Sequence, residues 1–323
     1  MKTQKLNEIL KRKILFINEA HPFLAEKLTS LGFECHFHYQ DSRQEIEKIL
    51  PHFFGIVIKS RFKIEANFID KATNLRFIAR IGAGLESIDT AYAQKKQIAC
   101  ISSPEGNRDA VGEHSVALLL NVLNHISIAN KQVKNGIWRR EANRGTEIKG
   151  KTVGIVGYGI MGRAFAKCLR GFGAKVIAYD KYKTYYGDKY AQAVDLEQLY
   201  AESDIVSLHT YYTSENHYFF DDRYINKFLK NIYVINTARG KILNTADLVK
   251  NLKIGKILGA GLDVLEYEGI SFENIKINDL PLPFQDLIAA ENVILTPHVA
   301  GWTHEGKRKH AETLAQKIET LFC

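Results

Sequence analysis

The chain has 323 residues, 46% hydrophobic and 25% charged, the balance of a globular protein with more than one core. No run approaches the roughly 18 consecutive apolar residues of a membrane span, and the opening MKTQKLNEILKRKILFI lacks a secretion signal's apolar core and cleavage pattern. The net charge of +8 is dispersed apart from short basic runs at 11–13 and 307–309, which suits small anionic ligands better than nucleic acid.

Strand-like runs occur at 13–17 (KILFI), 34–39 (ECHFHY), 55–59 (GIVIK), 76–82 (RFIARIG) and 98–102 (IACIS), with helical patterns between them. That alternation predicts a parallel sheet with helices on both faces. A single long helix is expected over roughly 107–135. Its AVGEHSVALLLNVLNHI is apolar on more than one face, so it should be buried between two bodies. From Lys151 the alternation restarts, with strands at 151–157, 175–180, 204–209, 233–238, 257–264 and 292–297 and a last helix over about 303–322. Cys35, Cys100, Cys168 and Cys323 show no metal-ligand spacing. They point to a reduced, cytoplasmic protein with no metal.

Gly157-x-Gly159-x-x-Gly162 ends an apolar strand and opens a helix, and the next strand ends in Asp180, 18 residues beyond Gly162. In that context the motif reads as a dinucleotide site. Gly157 permits the turn, Gly159 lets amides approach a pyrophosphate, and Gly162 lets helix and strand pack closely. Asp180 would accept from a ribose 2′-OH and repel a 2′-phosphate, which favours NAD.

Ligands of open α/β sheets lie outside the carboxyl ends of the strands. Three later strands deliver polar side chains there: Arg239 from VINTAR, Glu266 and Glu268 from GLDVLEYE, and His298 from VILTPH. A guanidinium suits a carboxylate, an imidazole suits proton transfer to or from a hydroxyl, and a carboxylate holds that imidazole in one tautomer. With hydride from the nicotinamide, this is 2-hydroxy acid and 2-keto acid interconversion. Structural ion pairs at strand ends are the alternative. His114 is expected at a helix interface, and His209 at a strand end near the cofactor.

The motifs VGIVGYGIMGRAFA, INTARGKIL, GAGLDVLEYE, ILTPHVAGWT, RIGAGLESID and PEGNRDAVGEHSVALLL together resemble the D-isomer-specific 2-hydroxyacid dehydrogenase family over nearly the whole chain. The resemblance implies two doubly wound parallel-sheet domains with a cleft between: a flavodoxin-like substrate domain (1–106 plus 299–323) and a Rossmann NAD domain (107–298). It implies Arg239 as substrate-orienting cation, Glu268 as partner of the base and His298 as acid/base. It implies amides of Ala83 and Gly84 on the substrate carboxylate. Cofactor contacts would fall at Ile160, Met161, Asp180, Ala238 and Asp263, with Asp263 on the carboxamide, and the protein would be a homodimer.

Gly269 stands where the family often has Pro after the catalytic Glu, and Tyr211 stands where it has Pro in HTYYT. The segment 269–297 reads as a cover or an interface. The overall look is closest to short 3-phosphoglycerate dehydrogenases, and Lys59, Ser60 and Arg61 could bind a phosphate or be a solvated charge cluster. Glyoxylate or hydroxypyruvate reductase, a D-lactate-type enzyme and an NAD-sensing corepressor-like binding protein are the other readings.

Overall fold

The computed structural model describes residues 12–269 and 280–323, and the chain divides into two compact units. The first unit is Met1–Asn107 with Trp302–Cys323. Its strands β1 (Lys13–Phe16), β2 (Glu34–Phe37), β3 (Gly55–Ile58), β4 (Phe77–Arg80) and β5 (Ala99–Ser102) pair in parallel, in the order β2-β1-β3-β4-β5. That is the flavodoxin-like order. All four residues of β3 are buried, as expected of a central parallel strand covered on both faces. The helices are α1 (Pro22–Ser30), α2 (Arg43–Ile49), α3 (Ala66–Lys71) and α4 (Thr90–Lys95). Local chemistry starts them: Pro22 occupies the first turn of α1, and Ser42 and Glu45 form a capping box on α2. The C-terminal helix (His304–Phe322) joins this unit by burying Ala311, Leu314, Ala315 and Ile318 with Phe16 and Phe77. Each large side chain buried so contributes roughly 1.5–3 kcal/mol.

The second unit is Arg108–Gly301. It holds β6 (Thr152–Val156), β7 (Lys175–Tyr179), β8 (Gln192–Ala193), β9 (Ile205–Leu208), β10 (Ile232–Asn236), β11 (Ile257–Leu262) and β12 (Val293–Leu295). They pair in parallel in the order β8-β7-β6-β9-β10-β11-β12, which is the Rossmann 3-2-1-4-5-6 pattern with one further strand. The fold class read from the sequence is therefore present in both units. The two-residue β8 went unread because it is too short to show a period.

The expected single helix over 107–135 is two: α5 (Arg108–Asn124) and α6 (Ile126–Lys134), broken at His125, whose φ is 55°. The side chain of Asn121 bridges the break, accepting from the Ser127 amide at 2.8 Å. Helix α5 packs on α7 (Ile160–Cys168) and β11. Gly112 makes this possible, since a Cβ there would lie 3.0 Å from the Ala164 backbone. The unit also contains α8 (Leu196–Glu202), α9 (Asp222–Ile225), α10 (Thr245–Lys253) and α11 (Leu282–Ala289). Of the segment read as a cover or interface, 270–279 lies outside the described residues. Its later part forms α11, which buries Phe284 and Leu287 in the core of this unit.

Candidate active site

The topological switch of the second unit lies between β6 and β9, where connections leave in opposite directions. Gly157 follows β6 at φ +94°, and a Cβ there would lie 2.9 Å from the carbonyl of His209, the residue after β9. A side chain at Gly162 would overlap Gly157 O, while Gly159 faces open space. Gly159 caps α7 without a side-chain bond, so the first-turn amides, beginning at Ile160 and Met161, have no side-chain acceptor from their cap. Asp180 follows the neighbouring strand β7, and its carboxylate accepts from Tyr158 N at 2.9 Å and Tyr182 N at 3.0 Å.

Two buried polar atoms beside Gly157, His209 Nδ1 and Thr210 Oγ1, have no hydrogen-bond partner. The other ring nitrogen of His209 lies 2.8 Å from Ser207 Oγ. Burial pushes the His209 pKa down to about 3, so the imidazole is neutral. Glycine-shaped space, helix amides, a ribose-spaced carboxylate and unsatisfied polar atoms together fit a dinucleotide. Ala238 is buried at the end of β10, its amide donating to Asn236 Oδ1 at 3.0 Å.

Arg239 follows in an extended conformation, with Nη1 donating to Ala238 O at 2.7 Å. Gly240 follows, and close packing rather than a turn requires it. Its φ is not left-handed, and a Cβ would overlap the backbone carbonyl of Leu265. Gly240 thus seats the arginine loop directly on the loop that carries the glutamates.

Those glutamates divide cleanly. Glu266 accepts from the Tyr218 hydroxyl and, at 3.0 Å, from Thr245 N. Glu268 accepts from Leu265 N at 2.5 Å through one oxygen and reaches His298 Nδ1 at 2.7 Å with the other. His298 sits at φ 55° with its amide on Asp263 O at 2.8 Å. Asp263, only 1% exposed, accepts from Thr296 Oγ1 (2.6 Å), Val299 N (2.9 Å) and Ala300 N (2.8 Å). His114 Nε2 adds a contact to Thr296 Oγ1 at 3.1 Å. The resemblance implied a carboxamide ligand at Asp263. The structure shows that carboxylate fixing the left-handed turn at His298. No sequence pattern announced this clamp.

In the first unit, Ala83 and Gly84 follow β4 and Gly82, which has φ +135°. Arg61 donates to three backbone carbonyls of its own unit. Its Nη1 donates to Ile17 O (3.2 Å) and His38 O (3.1 Å), and its Nη2 to Asp41 O (2.5 Å). Lys59 places its ammonium 3.5 Å from the ring centroid of Trp302.

Residues 116–300 match the D-isomer specific 2-hydroxyacid dehydrogenase, NAD binding domain. The hydroxypyruvate reductase of Thermotoga maritima is 34% identical over 85% of this chain and 87% of that protein. The D-3-phosphoglycerate dehydrogenase of Archaeoglobus fulgidus is 32% identical over 90% of this chain but only 53% of that longer protein. A D-lactate dehydrogenase from Aquifex aeolicus, solved with NAD and lactic acid, superposes with a TM-score of 0.81 at 27% identity, over 96% of this chain and 95% of that one. The glycine-lined crevice and the charged strand ends are thus those of a known lineage, and the chain belongs to the NAD-dependent D-isomer-specific 2-hydroxyacid dehydrogenases.

Proposed function

We propose that the protein reduces hydroxypyruvate, a small unphosphorylated 2-keto acid, to the D-2-hydroxy acid. The observation that carries the chemistry is the 2.7 Å contact between Glu268 and His298 Nδ1. It sets the orientation of the ring through Nδ1, which makes Nε2 the nitrogen that would exchange a proton with substrate. NADH, when bound, would supply a hydride for C2 of the keto acid. His298 gives its Nε2 proton to the C2 oxygen as negative charge develops there. Arg239 orients the substrate by its carboxylate and carbonyl oxygens. In the first unit, the Ala83 and Gly84 amides bind the substrate carboxylate. In the second, amides of Ile160 and Met161 receive the pyrophosphate, Asp180 receives the ribose, and Ala238, His209 and Asp263 complete the cofactor contacts.

A 3-phospho substrate needs a cation cluster, and the commitment of Arg61 to three carbonyls removes the strongest cation from the 58–63 stretch. The near full-length match to a hydroxypyruvate reductase supports the same choice. Initial rates of NADH oxidation with hydroxypyruvate, glyoxylate, pyruvate and phosphohydroxypyruvate test it. We expect kcat/KM for hydroxypyruvate to exceed that for phosphohydroxypyruvate by at least about tenfold, and the reverse preference overturns the assignment.

We also infer a homodimer. Helix α6 has no buried residue, and Ile126, Val133 and Trp138 are exposed, Trp138 at 77%. A second copy would cover that face. The four free cysteines suit a reducing, cytoplasmic setting.

A further inference from the structure

The loop after β4 is held from beneath by two residues to which no role has yet been given. Ser103 N donates to Gly82 O at 2.9 Å, and Gly82 N donates back to Ser103 Oγ at 3.2 Å. This reciprocal pair closes on a fully buried serine. Ser103 is in turn held by His310 of the C-terminal helix, whose Nδ1 lies 2.8 Å from Ser103 Oγ and 2.8 Å from Ser103 O. His310 is 7% exposed. The helix comes this close because residue 106 is glycine: a Cβ there would lie 2.5 Å from His310 Nδ1 and 2.7 Å from its backbone nitrogen.

Gly82 needs such support. Its φ of +135° lies outside what L side chains adopt, and a Cβ would collide with the Arg80 guanidinium. Glycine takes that conformation without strain but is also free to leave it, so bonds from neighbouring residues are what fix the loop. Burial, aided by the charges of Arg80 and Lys59, lowers the His310 pKa to about 4, so the strut is neutral at ordinary pH. A neutral strut leaves the loop's own N–H dipoles to meet an anion.

We propose that Ser103 and His310 are positioning residues for substrate. They fix Gly82 so that the amides of Ala83 and Gly84 stand preorganised for the substrate carboxylate. This rests on the reading that those amides bind that carboxylate. Preorganised donors lose little on binding, whereas a loop that must be ordered by its ligand weakens the ligand's apparent affinity.

The test compares KM for the keto acid with NADH affinity in the full-length enzyme. Ser103→Ala is expected to raise the hydroxypyruvate KM about tenfold, with kcat within about threefold and the NADH Kd unchanged by fluorescence. His310→Leu should do the same. His310→Asn, which returns a polar atom near the position of Nδ1, should recover most of the loss. A Ser103→Ala enzyme that folds, binds NADH and keeps its wild-type KM overturns the proposal. So do equal KM values for the Leu and Asn variants, since filling space would then be the whole role. If Ser103→Ala does not fold, the His310 pair decides alone, and amide exchange over residues 80–86 should be faster in His310→Leu than in His310→Asn. Wild-type enzyme that oxidises NADH with no keto acid in the panel defeats the underlying reading itself, and that measurement comes first.

Discussion

The two units are built on the same plan and use it differently. Each has a parallel sheet with one topological switch point, between β1 and β3 in the first and between β6 and β9 in the second. In the second unit the switch is lined by glycines, by helix amides and by two polar atoms left without partners. In the first it is filled by protein. Arg61 crosses the ends of β1 and β2 to reach the carbonyls of Ile17 and His38, and Lys59 N donates to Asn18 Oδ1 at 2.8 Å. A doubly wound sheet therefore offers a crevice without guaranteeing a ligand in it. Whether it binds depends on whether the side chains at the strand ends are small, or satisfied by the protein itself. In the proposed function the first unit offers backbone amides after β4, and the second offers charged side chains.

Glu268→Gln would sharpen this contrast most. It keeps the shape but removes the charge that orients and supports His298, so kcat should fall about a hundredfold while NADH binding persists. A loss below about threefold would mean the pair is structural. Gly240→Ala should cost about tenfold in kcat, because the methyl group pushes the Leu265–Glu268 loop off the arginine loop. Unchanged kinetics would separate the two loops functionally.

The pH dependence of stability isolates the second unit's sealed imidazole. His209 is neutral in the fold, with a pKa near 3, but protonates near 6.5 when the chain unfolds. The unfolded state thus binds more protons between those values. Stability is complete above pH 6.5 and declines as pH falls toward 3, by up to about 1.4 kcal/mol per unit. Denaturant titrations of wild type and His209→Leu over that window should show a shallower decline in the variant, and parallel curves would contradict the sealed, neutral ring. The smallest kinetic effect belongs to Arg61→Met. It should lower stability by about 1–3 kcal/mol through three orphaned carbonyls, yet leave the keto-acid KM within about twofold. A large KM rise would return Arg61 to the substrate.

The second unit was the more legible because its function follows rules with short range. A strand ending in glycine, a carboxylate 18 residues past Gly162 and polar side chains at strand ends are all visible along the chain. The fold class in both units followed from the β and α alternation. Arg61 could not be read, since its acceptors are backbone carbonyls 20 to 44 residues away and any residue can supply those. The Asp263 clamp was hidden similarly, because two of its three donors are main-chain amides. Glu266 and Glu268 are alike in composition and differ only in which tertiary neighbour each meets. His125 broke the expected long helix by adopting a left-handed conformation that a histidine does not advertise.

The most direct measurement is single-turnover oxidation of enzyme-bound NADH by hydroxypyruvate in wild type and His298→Ala, with NADH affinity determined on the same samples. The account predicts a rate loss of about a thousandfold with the NADH Kd within about twofold. A His298→Ala enzyme that turns over within about tenfold of wild type would contradict it.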